Sequence, residues 1–265
     1  MLSIKISKYL KFTLLLLACI SLQAEKLIEG QSGEIIAIPA DSMLASNKFL
    51  IKSKLGLFQL VGLPFVKQDQ IITRHSKDVK VKWVNFGESR ITITDKSKVT
   101  LSPINQKRAN REAIEIKKAL SILTEDITPS FHFIAPVPGV VTSPFGRQRF
   151  INGLPRSAHL ALDLDGKTGT PIVSPLKGKV VLVGDFFYTG HTLILDHGYG
   201  LFSSYAHMSE VKRKLGDLVE QSSVIGLVGA TGRVTGPHLH WTVYFDGNKI
   251  NPESLIQENY LSLIL

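Results

Sequence analysis

Cysteine is almost absent from this chain of 265 residues, in which Cys19 is the only one. A single thiol cannot form an intramolecular disulfide, so the fold must be held together by a hydrophobic core. Charged residues are also scarce at 20%, whereas hydrophobic residues make up 44%. This composition excludes a largely disordered protein and leaves room for one large domain or two small ones.

Dense runs of charge are missing as well, although the net charge is +9. Most of the excess Lys and Arg precedes residue 129, where it is spread among acidic residues. Nucleic-acid-binding proteins typically cluster their basic residues, so this pattern argues against that class. It favours a weak attraction to an acidic polymer or to lipid headgroups.

Long apolar runs are also missing, because the N-terminal run Phe12–Ile20 is too short to span a bilayer comfortably. Lysines precede this run, and a site for signal cleavage follows at Ala24. We therefore expect residues 1–24 to be a signal peptide and the protein to be exported to the periplasm or cell envelope. An uncleaved membrane anchor is one alternative. Lipidation at Cys19 is another, since Leu16–Cys19 resembles a lipoprotein signal.

Short segments rich in β-branched and aromatic residues occupy residues 30–104, which predicts a small β domain over residues 25–104. The candidate strands are Glu34–Ile38, Lys48–Ile51, Phe58–Val61, Val79–Val84 and Arg90–Thr94. Apolar residues then recur at helical spacing over Asn105–Leu123, which predicts one amphipathic helix. This helix and a linker make up residues 105–128.

Residues 129–265 contain many short apolar segments separated by glycine, which predicts a second, mostly β domain. The expected fold class is therefore mostly β, with a small β domain and one amphipathic helix ahead of the larger domain. The one helix expected within this larger domain is short, at Pro252–Gln257.

The histidines point to chemistry, since six of the eight lie after residue 150. In a strand, His159, Ala161 and Asp163 would share one face, while the leucines between them would enter the core. An imidazole and a carboxylate two pleats apart can grip one metal ion.

A second segment, His238–Phe245, alternates in the same way. His238 and His240 would lie on one face with Thr242 and Tyr244, opposite Leu239, Trp241, Val243 and Phe245. Two imidazoles buried without partners would be costly in a core, so this face is predicted to line a site. His207 follows a third apolar segment and is a weak signal by itself.

A single catalytic zinc site would explain the histidines and the aspartate in all three segments. A catalytic zinc takes three protein ligands, keeps a fourth position for water and lowers the pKa of that water. His159, Asp163 and one of His238 and His240 would be the ligands. The remaining histidine of that pair and His207 would then act as base and as oxyanion donor. Spacing alone leaves open which histidine of the pair binds the metal.

The pattern His159-x-x-x-Asp163, then His207, then His238-x-His240 resembles the lysostaphin/LytM-type zinc metalloendopeptidases of bacterial cell walls. Further segments similar to this family occur in the same order: Thr142–Gly146, Gly169–Pro171, Asp196–Gly198, Tyr205–His207 and Ala230–His240. The resemblance covers residues 135–255, and several separated motifs make it specific. Residues 25–128 also resemble, more weakly, the region that precedes the catalytic domain in some Gram-negative members.

This resemblance implies one zinc ion per chain, bound by His159, Asp163 and His240. It implies that His238 is the general base and that His207 assists by stabilising charge near the water or the oxyanion. The fold would be an antiparallel sheet with a groove above it. The substrate would be the peptide part of peptidoglycan, cleaved at crosslinks between D-alanine and diaminopimelate, with a polyglycine bridge as the alternative. The role of residues 25–128 stays open: they could bind glycan, block the groove, or dock a partner such as a wall enzyme or a membrane.

The sequence departs from the family at Ala161, where the family usually has Gly. Some relatives have lost ligands and only activate other wall enzymes, so a non-catalytic wall-binding protein or activator is the alternative function. A biotinyl-type carrier is a third reading, but Glu220–Ser223 lacks the lysine that such a module modifies.

No substrate-binding residue is assigned from the sequence. Three arginines just ahead of the metal motif, Arg147, Arg149 and Arg156, could contact substrate carboxylates or belong to a solvated loop. The remaining histidines are expected to be structural or exposed: His75, His132, His191 and His197.

Overall fold

The computed structural model describes residues 27–40, 49–94, 99–257 and 260–265. The expected signal peptide and Cys19 lie outside the described residues, so export, cleavage and lipidation stay predictions. Within those four ranges, no helix is long and apolar enough to cross a membrane.

Among the residues that the structure describes, seven short strands precede the first helix. The first six form two three-stranded sheets with the orders β1-β6-β5 and β2-β4-β3. These strands are β1 Ile28–Gln31, β2 Ile35–Pro39, β3 Leu50–Ser53, β4 Gly56–Gly62, β5 Gln70–Arg74, β6 Lys77–Lys82 and β7 Glu88–Ile91. Each predicted strand overlaps one of them. Strands β1 and β5 were missed, because both are mostly exposed or half-buried and lack an apolar run.

Helix α1 spans Pro103–Ala119. It begins where the Ser102 hydroxyl accepts a hydrogen bond from Asn105 N and proline occupies the first turn. The predicted helix continued to Leu123, which was wrong by one turn. The apolar spacing persists there, but Ile122 and Leu123 lie outside the helix and are partly exposed.

The larger part of the chain contains thirteen further strands and two short helices among the described residues. The strands are β8 Val141–Ser143, β9 Gln148–Ile151, β10 Leu154–Pro155, β11 Leu162–Asp165, β12 Pro171–Val173, β13 Gly178–Phe186, β14 Gly190–Asp196, β15 Phe202–Met208, β16 Glu210–Val211, β17 Leu218–Val219, β18 Val224–Leu227, β19 His238–Phe245 and β20 Asn248–Ile250. The helices are α2 Pro252–Leu255 and α3 Tyr260–Ile264. The short helix expected near Pro252 is confirmed, and α3 was missed.

One eight-stranded sheet dominates this part, with the order β17-β13-β14-β15-β19-β11-β8 and β20 paired to β19. Its strand pairs are antiparallel, so the expected fold class is confirmed. Along β19 the alternation places Leu239, Trp241, Val243 and Phe245 in the core on one face of the sheet. The histidines of the same strand therefore face the other side.

Packing crosses the expected boundary between the two β regions. Ile35 and Leu60 belong to the same hydrophobic core as Trp241. Strand β7 pairs in parallel with β9, just ahead of the metal motif. The division into residues 25–104, 105–128 and 129–265 stays a prediction.

Candidate functional site

Asp163 and His240 lie directly opposite each other on the neighbouring strands β11 and β19. The antiparallel register brings the Nδ1 atom of His240 to 2.7 Å from Oδ1 of Asp163. Both side chains project from the face opposite the leucine core, as the alternation predicted. The sheet register therefore builds one half of the expected metal cluster.

His159 completes this cluster, although it does not lie on a strand. Strand β11 begins only at Leu162, so the predicted shared strand face for His159 and Asp163 was wrong. Two backbone hydrogen bonds hold His159 instead, because its N–H donates to the Arg147 carbonyl and its carbonyl accepts from Gly146 N. Its Nε2 atom lies 3.1 Å from Asp163 Oδ1 and 3.3 Å from His240 Nδ1.

The spacing of these three donor atoms fits a single metal ion. A tetrahedral zinc with ligands at about 2.0–2.1 Å separates its ligand atoms by about 3.3 Å. The three donor atoms all lie within 4.8 Å of one another, on largely buried side chains. The outer ring nitrogen of His159, Nδ1, lies 3.0 Å from the Ser143 hydroxyl, the kind of contact that orients a metal-binding imidazole. This group can therefore hold a metal ion.

Electrostatics favour the protonation states that a metal requires. Burial lowers the pKa of His240 to about 4, which keeps the imidazole neutral at pH 7. Burial acts to raise the pKa of Asp163, but hydrogen bonds from His159 and His240 outweigh it and hold the pKa below its usual range. Neutral imidazoles beside an ionised carboxylate are the state in which these groups bind a divalent cation.

His207 and His238 lie beside this cluster with their rings 5.0 Å apart. Each ring presents Nδ1 to a backbone carbonyl, that of Thr231 for His207 and that of Gly236 for His238, both at 2.9 Å. A carbonyl accepts only, so in the neutral rings Nδ1 carries the proton and Nε2 carries the lone pair. The Nε2 atom of His238 lies 3.9 Å from Asp163 Oδ1.

The backbone of His207 is unusual, with φ at 64° in the left-handed region. His207 is the last residue but one of β15, whose pairing with β14 shifts register between His191 and Leu193. Burial lowers the pKa of His207 to about 3, and the charges of His240 and His238 act in the same direction. Such backbone conformations concentrate at functional sites, so this one strengthens the weak sequence signal of His207.

A cavity of about 150 Å³ opens onto Asp163 and three of these histidines. Two arginines, Arg149 and Arg233, line it together with the apolar residues Ile91 and Ile93. From the sequence, Arg149 could contact substrate or belong to a solvated loop, and Arg233 was not predicted, although Arg233 lies within the similar segment Ala230–His240. The contribution of the N-terminal region to this cavity was not predicted either: Ile91, the last residue of β7, is part of the lining.

A larger cavity of about 850 Å³ runs from His240 along the same face of the sheet. Ser204, Thr242 and Tyr244 are among the sheet residues that line it, and Ile116 is among those from α1. The expected groove above the sheet is therefore present, and helix α1 forms part of its wall.

The other residues singled out in the sequence lie apart from the cluster. Ala161 is 1% exposed and does not line the small cavity. His197 is fully buried, with Nε2 at 2.7 Å from the Ser203 hydroxyl. His132 is exposed, and His191 donates its backbone N–H to the Thr231 hydroxyl. His75 lines the large cavity.

Comparison with known proteins agrees with this geometry. The model of peptidase family M23 matches residues 157–252, which include the three residues of the cluster and also His207 and His238. Residues 157–252 form a peptidase family M23 domain. The sequence resemblance to the LytM-type peptidases is thereby confirmed.

Relatives of this M23 domain include two curated bacterial proteins. Peptidoglycan DD-endopeptidase ShyA of Vibrio cholerae is 37% identical over 93 residues, which is 35% of this chain and 22% of ShyA. DD-carboxypeptidase/endopeptidase Mpg of Neisseria meningitidis is 33% identical over 115 residues, which is 43% of this chain and 26% of Mpg. The matched region therefore spans about a quarter of the length of these relatives.

A solved structure shares more of the fold than the M23 domain alone. A crystal structure from Pseudomonas aeruginosa, whose description assigns it to peptidase M23, is 28% identical with a TM-score of 0.64. The alignment covers 85% of this chain and 94% of that one. The likeness thus extends beyond the M23 domain into the preceding residues.

Proposed function

We propose that this protein is a zinc-dependent endopeptidase that hydrolyses peptide crosslinks of peptidoglycan. The observation that carries the proposal is the clustering of His159 Nε2, Asp163 Oδ1 and His240 Nδ1 beside two further histidines. Three ligands with an open fourth position are the usual arrangement of a catalytic zinc site. When bound, zinc would supply Lewis acidity, lowering the pKa of water and polarising a carbonyl oxygen.

His238 is proposed as the general base. Its Nδ1 proton is held by the Gly236 carbonyl, so Nε2 is free to accept a proton from the attacking water. Water adds to the carbonyl carbon, the carbon–nitrogen bond breaks, and the departing amine receives the proton that His238 took up.

His207 is proposed to orient the water. The resemblance implied a role in stabilising charge near the water or the oxyanion. The Thr231 carbonyl holds its Nδ1 proton, so the neutral ring offers a lone pair at Nε2 rather than a proton. The hydrogen bond to Thr231 therefore favours a role at the water, whose hydrogen the Nε2 lone pair can accept. A role at the oxyanion would require a second proton on the ring.

The substrate is proposed to be the crosslink between D-alanine and diaminopimelate, in a protein exported to the periplasm or cell envelope. The names of the relatives support a D,D bond, since ShyA is a DD-endopeptidase and Mpg a DD-carboxypeptidase/endopeptidase. Peptidoglycan is the partner that this proposal requires. The alternative of a non-catalytic activator is not favoured, because each of the five polar side chains expected in the site is present.

Digestion of purified peptidoglycan by the zinc-loaded protein tests this proposal, with products identified by mass. We expect crosslinked dimers to be lost and monomers with a free D-alanine carboxylate to appear. A chelator should stop the reaction and added zinc should restore it. Intact dimers after prolonged incubation with fully zinc-loaded protein would refute the endopeptidase proposal.

A further inference from the structure

A partly buried arginine borders the metal cluster without being part of it. The Arg149 side chain is 23% exposed, and its terminal nitrogen Nη2 lies 3.9 Å from Oδ2 of Asp163. Its Nε atom is buried and has no hydrogen-bond partner within the described part of the chain. A buried donor of this kind is costly unless a ligand satisfies it, so the guanidinium is prepared for a partner that binds in the cavity.

A second arginine lines the same cavity. The guanidinium carbon of Arg233 lies 4.3 Å from the centre of the Tyr188 ring, and this cation–π contact helps to hold the side chain at the cavity wall. Arg149 lines this cavity as well, so two guanidinium groups border one small space. Two like charges held together in one small cavity indicate a site for an anion.

The charge balance of the cavity points the same way. Asp163 is the only acidic residue among the described residues that line it. Its carboxylate is already shared by His159 and His240. A divalent cation on these three residues would leave the cavity with a net positive charge. A carboxylate fits best, because a guanidinium can bind both of its oxygens.

The proposed substrate carries such a group at a fixed position. In a D-alanine–diaminopimelate crosslink, the carbon attached to the scissile nitrogen bears a free carboxylate. A terminal D-alanyl-D-alanine has the same feature, whereas an internal polyglycine bridge does not. We infer that Arg149, together with Arg233, binds this carboxylate and so selects bonds whose leaving amine is an α-amino acid. This inference rests on the proposed function.

The test compares matched substrates in which that one carboxylate is present or replaced by a carboxamide. The experiment has two arms. One uses a crosslinked dimer, whose carboxylate belongs to diaminopimelate, and the other uses a peptide ending in D-alanyl-D-alanine, whose carboxylate belongs to the terminal D-alanine. We expect the wild-type protein to prefer the carboxylate form by about 10- to 100-fold in kcat/KM in at least one arm. In Arg149→Gln this ratio should fall to about 1, with zinc content unchanged.

Arg90→Gln is the matched control, because Arg90 lies on the adjoining strand β7 but is exposed and pairs with Glu88. It should keep the wild-type ratio. If Arg149 only supported Asp163, its variant would lose activity on both forms equally and the ratio would persist. That outcome, or a wild-type ratio near 1 in both arms, would overturn the inference.

Measuring the binding of an analogue that cannot be hydrolysed tests the carboxylate subsite separately from the proposed hydrolytic activity. Calorimetry on zinc-loaded protein would use an analogue in which a methylene replaces the scissile carbonyl, in carboxylate and carboxamide forms. Tighter binding of the carboxylate form by wild type, abolished in Arg149→Gln, supports the subsite even if nothing is hydrolysed. Equal binding of both forms would overturn it whatever the activity.

Discussion

His197 and His240 lie in the same part of the fold and make an instructive contrast. Burial lowers the pKa of each to about 4. His197 is enclosed, with Nδ1 donating to the Lys177 carbonyl and Nε2 accepting from the Ser203 hydroxyl. His240 instead faces a carboxylate and a cavity. A buried, neutral histidine is therefore not by itself a sign of function. Access and a neighbouring carboxylate make the difference.

The largest effect is expected for Asp163→Asn, which removes the charged member of the cluster. Zinc should be lost, and activity on peptidoglycan should fall by about 1,000-fold or more, since the remaining imidazoles cannot balance the charge of the ion. Metal analysis and digestion assays on the same protein check both. Asp165→Asn is the control, because Asp165 lies on the same strand but is exposed. Full zinc occupancy in Asp163→Asn would show that the ligand set is wrong.

His238→Ala should separate chemistry from metal binding. We expect zinc content to equal that of wild type while turnover falls by about 100- to 10,000-fold, the usual contribution of a general base. The exposed His132→Ala should match wild type in both measurements. Loss of zinc from His238→Ala would instead make His238 a ligand and leave the base unassigned.

His197→Gln tests the structural side of the contrast through the pH dependence of stability. The pKa of His197 in the folded protein is about 4, below the value near 6.5 of an exposed histidine. The unfolded chain therefore takes up the proton first, so stability is full above about pH 6.5 and falls as the pH drops towards 4. Between about pH 6.5 and pH 4, protonation linked to His197 should lower the free energy of unfolding by up to about 3 kcal/mol.

Denaturant unfolding of metal-free protein at several pH values would measure this dependence. His207 and His240 contribute in the same direction to both proteins, so the difference between wild type and His197→Gln isolates His197. The variant should show the shallower decline. Identical declines would mean that His197 is not held neutral by burial.

A smaller effect is expected for a buried carboxylate that lies away from the cluster. Glu112 on helix α1 accepts hydrogen bonds from Arg108 Nε and from Phe187 N, which ties the helix to the loop after β13. Glu112→Gln should lower the free energy of unfolding by about 1–2 kcal/mol without changing zinc content. The exposed Glu115→Gln on the same helix should change it by less than about 0.5 kcal/mol. Equal effects would contradict a specific role for Glu112.

The sequence alone predicted the parts of the site that depend on strand alternation. His238 and His240 share a face of β19 because side chains alternate along a strand, and that rule is local. The rule failed at His159, whose position depends on backbone hydrogen bonds with Gly146 and Arg147 rather than on β11. The family resemblance, not the alternation, gave the choice of His240 over His238 as a proposed ligand.

Features formed by distant segments could not be predicted in this way. The parallel pairing of β7 with β9 brings Ile91 beside the cluster, and no local pattern encodes that pairing. The proposed anion site likewise depends on Arg149 and Arg233, which are distant in sequence but line the same cavity. The end of α1 was misplaced for a different, local reason, because apolar spacing continues after the helix has ended at Ala119.

The most direct test of the central claim is the position of the metal in a crystal grown with zinc, located by anomalous scattering at the zinc absorption edge. We predict one strong peak about 2.0–2.2 Å from His159 Nε2, Asp163 Oδ1 and His240 Nδ1. His207 and His238 should remain outside this ligand set. A peak bound instead by His207 and His238, or no peak at the cluster in zinc-saturated protein, would contradict the account.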